Sequence, residues 1–182
     1  MVSPAVAFPL KECSSDAVRQ PEWLLADCLA IAEKVNALSD NQYRQRVDGK
    51  WSVADVLQHL YRSARPVLGL MTGSRDALLP FGPPANPGQT YELIQHNYYT
   101  ALAGGLRAPD AFAPRNDDAL ESRQERVSRL LATYQALANA VANWTDTDLD
   151  TLAIPHPALG LLSMRQMLYF TQLHTRHHRE RL

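Results

Sequence analysis

Three of the six histidines in this chain, His174, His177 and His178, fall within five consecutive positions. His174 and His178 are four residues apart, so a helix places their rings on one face, one turn from each other. Neutral imidazole is the commonest protein ligand for a divalent metal, and such a pair is half of a metal site. Two ligands do not hold a metal for chemistry, so a third must come from elsewhere. His59 is the natural source.

Helical periodicity places all three. From Met164 the apolar positions Met164, Met167, Leu168 and Thr171 step by three and four, and the same rhythm lands on His174 and His178. The stripe therefore points both into the interior, with His177 at its edge. Ser163 and Gln166 form a capping box at the start of this fourth helix, which the pattern carries to the end of the chain. Ser52 and Asp55 form a second box, opening a helix with the stripe Val53, Val56, Leu57, Leu60 and Ala64 and with His59 at its edge. Pro66 should kink that helix or force a local readjustment, because it removes a backbone donor in mid-pattern. A first helix runs from about Pro21 along Leu24, Cys28, Ile31, Val35 and Leu38, and Ser39 with Gln42 caps a short turn before the break at Asp48-Gly49. The third long helix, from about Glu121 to Trp144, carries Val127, Leu130, Leu131, Tyr134, Leu137, Ala138 and Val141.

Four helices without an alternating strand pattern predict an all-α four-helix bundle. His59 lies roughly 10 Å along its helix at 1.5 Å per residue, and His174 and His178 lie near the opposite terminus of theirs. The three meet only if helices two and four run antiparallel. That requires an up-down-down-up bundle with a long crossover between helices two and three, and the irregular segment at about 73–120 stands where the crossover is needed. Within it, Tyr91 to Ala103 reads as a short helix stopped by Gly104-Gly105. Residues 1–19 show no period and read as an extended N-terminal arm of a single domain spanning 1–182.

These features resemble the DinB/YfiT-like metal-binding four-helix bundles. "WSVADVLQHLY" is similar to the family's tryptophan-serine start and helix-two histidine. "HPALGLLSMRQMLYFTQLHTRHH" is similar to its closing block: a His-Pro, a Gly, a capped helix and a histidine pair separated by three residues. The resemblance covers most of the chain from about residue 21 and is weak over 73–120. It implies that His59, His174 and His178 bind a divalent metal such as zinc or nickel, in an up-down-down-up bundle that often forms a homodimer. Relatives include transferases and isomerases that use low-molecular-weight thiols, and others described as metal-dependent hydrolases.

An ion on three neutral imidazoles keeps its full charge and an open position, and as a Lewis acid can activate water or deprotonate a thiol. The expected function is a metal-dependent transferase, thiol-dependent, or a hydrolase acting on a small electrophilic substrate. The alternative is a non-catalytic metal- or ligand-binding stress-related protein with a structural metal. An open coordination position facing a pocket favours the first, and a fourth protein ligand such as His96 or His156 favours the second. H-E-x-x-H and Glu-x-x-His motifs are absent, which excludes the corresponding protease and di-iron chemistries. Asp55, one turn before His59, either orients that ring or only caps its helix. His96, Tyr98 and Tyr99 in the crossover either reach over the pocket or pack. His156, between two prolines, reads as a turn residue or else lines the site, and His177 is a further candidate for the pocket. Arg176 reads as a solvated rim charge or else contacts an anionic substrate.

Composition closes other routes. A formal charge of −1 and a pI near 6.6 argue against a nucleic-acid partner. Cys13 and Cys28 form neither a disulfide framework nor a C-x-x-C site. No stretch approaches the apolar length of a membrane span and no leader is evident, so a cytoplasmic location without membrane attachment is expected.

Overall fold

Serine and threonine hydroxyls start most of the helices. In a computed structural model of the chain, which describes Val18 and residues 21–115 and 121–182, Ser39, Ser52, Ser122 and Ser163 each close a reciprocal capping box. Thr90 and Thr145 cap through their side chains alone. The helices are α1 (Pro21–Asn36), α2 (Asp40–Arg44), α3 (Val53–Thr72), α4 (Tyr91–Ala103), α5 (Arg123–Val141), α6 (Asp146–Thr151) and α7 (Met164–Arg179). The fold is thus mostly helical. The chain turns at Asp48 and Gly49, both in the left-handed region, before α3 begins. Pro66 does not end α3, which runs unbroken to Thr72.

One expectation is corrected. Ala153–His156 and Gly160–Ser163 form two short antiparallel strands, β1 and β2, with Ala153 opposite Ser163 and His156 opposite Gly160. His156 is therefore a strand residue. Its imidazole Nδ1 accepts from the backbone N–H groups of Ala158 (3.2 Å) and Leu159 (3.1 Å), closing the hairpin loop.

The long helices pack as α1 with α5 and α7, and α3 with α5 and α7, while α4 lies against α7. Apolar side chains fill the space between them in two clusters. Cys28, Ile31, Val35, Leu57, Leu60, Leu130 and Tyr134 make one around α1, α3 and α5. Leu24, Ile94, Tyr98, Leu137, Leu168 and Leu173 belong to the other, which joins α4 and α7 and also takes in Val18. The rest of the expected N-terminal arm lies outside the described residues. The segment between α3 and α5 holds two 3-10 turns, Arg75–Ala77 and Leu79–Phe81, and then α4. No helix among the described residues is long and apolar enough to cross a membrane.

Candidate metal centre

α3 presents His59 from its second turn, and the last two turns of α7 present His174 and His178. The three rings face one another with centroids 4.8–4.9 Å apart, and one ring nitrogen from each lies within 4.8 Å of the others. His59 Nδ1–H donates to the carbonyl of Phe112 at 2.9 Å. A carbonyl only accepts, so this bond fixes the proton on Nδ1 and leaves Nε2 as a lone pair. That lone pair sits 2.9 Å from Nε2 of His174.

The Phe112 carbonyl is delivered by a strap. Arg62 donates to Ala111 O at 2.6 Å, and Gln58 accepts from Arg115 N at 2.6 Å, so α3 grips residues 111–115 on either side of the His59 contact. Above the histidines opens a cavity of about 450 Å³. Its walls include Trp51, Val67 and Leu70 near α3, Phe81, Tyr98, Leu102 and Leu106 from the crossover, Ile154 and His156 from β1, and Met167 and Phe170 from α7. Phe170 stacks on His174 at 5.5 Å and 11°, and Trp51 stands 4.8 Å from the His59 ring.

A model of the DinB superfamily matches residues 29–182. The chain belongs to the DinB superfamily. No curated protein and no solved structure matches it significantly.

In this DinB-superfamily chain the three imidazoles suit a divalent cation. Burial holds His59 and His174 below the usual imidazole range and His178 down to about 3, so all three are neutral ligands at ordinary pH. Their nitrogens converge with one lone pair already fixed, an arrangement that a shared cation would satisfy.

The other expected residues divide. Tyr98, His156 and His177 line the cavity, and His177 is buried rather than at a solvent edge. Its Nδ1 accepts from Arg181 at 2.7 Å. Tyr99 is half-buried, with its ring 6.3 Å from that of His177. His96 is exposed and outside the cavity. Asp55 does not orient His59: its carboxylate is held by the Ser52 capping box and by a two-pronged contact with Arg46 at 2.7 and 2.8 Å. Arg176 is not a free rim charge, because its Nε lies 3.4 Å from the buried carboxylate of Asp27. The Phe112 carbonyl and the Trp51 and Phe170 rings complete the site, and neither spacing nor charge singled them out.

The buried histidines carry a stability consequence. His156 and His177 are lowered to about 4 by burial, so five depressed imidazoles surround the cavity. Between these native values and the unfolded value near 6.5, the unfolded chain binds more protons than the folded one. Stability is then full above about pH 6.5 and lost as pH falls below it. Calorimetry of the metal-free protein should show Tm dropping continuously from pH 7 to pH 4. A flat profile over that range would show these rings to be protonated at no cost in the fold.

Proposed function

We propose that this chain is a divalent-metal-dependent enzyme that transfers a small thiol to, or hydrolyses, a small electrophilic substrate, with His59, His174 and His178 as the ligands of zinc or nickel. The supporting observation is the open face of the histidine cluster. Among the described residues the candidate ligand set holds three histidines and no fourth protein group, and it looks into the cavity. A metal on this set supplies Lewis acidity toward a thiol, water or substrate oxygen.

The chain's own residues do the rest. His59 is held in one tautomer by Phe112, and the largely apolar walls of the cavity suit an apolar substrate body. Cys28 is not the nucleophile: it is fully buried among α1, α3 and α5, and burial pushes its thiol up to about 12. Cys28 is the one thiol among the described residues, so we read the nucleophile as entering from solution, as a low-molecular-weight thiol or as water. We read the four long helices, α1, α3, α5 and α7, as an up-down-down-up bundle, because the second turn of α3 and the last turns of α7 supply one site.

The reading is tested by a screen of small thiols against epoxide, activated-alkene and ester electrophiles, with the metal-stripped and zinc- or nickel-reloaded protein. Turnover should require the metal and persist in Cys28→Ala. No rate above the metal-free background with any pair would overturn the enzymatic reading.

A further inference from the structure

The cavity beside the metal centre has a chemistry of its own. Its described lining contains no carboxylate, lysine or carboxamide side chain, and the cation Arg107 is exposed at the rim. Two of its hydroxyls are already engaged: Thr171 donates to Met167 O at 2.8 Å, and Tyr134 bonds Thr175 at 2.5 Å. What remains is mainly aliphatic and aromatic surface, suited to an uncharged apolar body.

Two imidazoles outside the three-histidine cluster break that apolar surface in a defined way. One is His156, whose Nδ1 already accepts from the Ala158 and Leu159 N–H groups. The other is His177, the more buried of the two and next to His178. Arginine only donates, so the Arg181 contact forces His177 Nδ1 to accept and places the ring proton on Nε2. Among the described residues Nε2–H has no hydrogen-bond partner. The ring is buried, lines the cavity, and stands 5.2 Å from the His178 ring and 5.7 Å from the Tyr98 ring. A fixed donor in apolar surroundings discriminates strongly, because a ligand lacking the acceptor leaves it unpaired.

We propose that the cavity takes a small, uncharged, aromatic-bodied molecule bearing a carbonyl-type oxygen, and that Nε2–H of His177 selects it by donating to that oxygen. The ligand class deepens the enzymatic reading above, since such a carbonyl compound is the electrophile. His177 acts as a specificity-determining donor beside the three-histidine cluster, while the aromatic body fills the space bounded by Phe81, Leu102, Leu106 and Phe170.

The test uses a matched pair, 2-acetylnaphthalene and 2-ethylnaphthalene, titrated calorimetrically into the full chain in metal-free and zinc-loaded forms. Both should bind, with the ketone about tenfold tighter, as one hydrogen bond of roughly 1.4 kcal/mol requires. His177→Phe should bind the hydrocarbon as before and lose the preference, and His177→Gln, which keeps a donor, should restore part of it. Should His177→Phe fail to fold, Arg181→Met, an exposed change that frees the tautomer, should reduce the preference. Failure of both naphthalenes to bind folded wild type overturns the ligand class. Equal binding of the pair, a preference that survives His177→Phe, or one seen only with zinc overturns the role of His177. Zinc stoichiometry measured on the same samples separates all of these from failure of the metal reading.

Discussion

Replacing His59 by alanine is expected to abolish metal binding while leaving the helices folded. The wild-type site offers three convergent nitrogens, and among the described residues no fourth histidine, cysteine or carboxylate joins that set. The variant keeps only the His174–His178 pair on α7. Loss of a residue that merely supports a metal ligand already costs about 10–100-fold in affinity, so loss of a ligand should exceed about 100-fold. Metal analysis after dialysis should give one ion per wild-type chain and less than a tenth of that in the variant. A second readout separates the site from the fold. Zinc at about 1,000 times its dissociation constant adds roughly 4 kcal/mol to the wild type and should raise its Tm. The variant's Tm should not respond, although its metal-free value should fall by only a few degrees. The Phe112 hydrogen bond, the Nε2 contact with His174 and the Trp51 ring contact are lost, while the capping box that starts α3 is kept. Unchanged stoichiometry in His59→Ala would remove the triad from consideration.

The legibility of this site in the chain depends on how local each signal is. The capping boxes at Ser39, Ser52 and Ser163 are contained in four residues each, and the structure closes all three. The stripe on α7 runs into His174 and His178 without a change of rhythm, and matching depths along two helices then select His59. The hairpin gives no such signal. Its strands are four residues long and interrupted by Pro155, and a pairing across a tight loop leaves no period in so short a run. His177 departs from its expected edge position for a different reason. A stripe assumes that one face of a helix is buried, whereas α7 is covered by α1, α3, α4 and the hairpin together, so Gln172, Thr175 and His177 are buried as well. Asp55 illustrates the limit of sequence neighbours: one turn from His59, it is claimed by Ser52 and by Arg46 from outside the helix. The partner that His59 takes instead is a main-chain carbonyl 53 residues away, and a carbonyl carries no mark in the sequence.

Removing residues 179–182 is expected to weaken metal binding about 10–100-fold while lowering the metal-free Tm by only a few degrees. His178 lies in the last turn of α7, and that turn is fastened largely by Arg179, Glu180 and Leu182. Arg179 reaches the buried carboxylate of Asp27 at 2.5 Å, and Lys34 donates to the Arg179 carbonyl at 2.9 Å, tying the helix end to α1. The backbone N–H of Glu180 bonds Arg176 O at 3.0 Å and that of Leu182 bonds His178 O at 3.2 Å, while Leu182 packs on the cluster around α1, α3 and α5. Without them the turn frays, and the metal must order it again. Fixing one or two backbone residues costs about 1–2 kcal/mol each, which is the source of the expected loss. The core is spared, since Leu24, Leu57, Leu137 and Leu168 lie at a distance in sequence from the deleted turn and stay buried among the remaining helices. Arg179→Ala should give a smaller loss in the same direction, because Asp27 retains Arg176 and accepts from Gln172 Nε2 at 2.6 Å. Zinc titrations with a competing chelator, beside thermal melts of the stripped proteins, distinguish the outcomes. Full affinity after the deletion would show that His178 is held by packing within the bundle alone, and collapse of the metal-free protein would show that the turn supports the fold rather than the site.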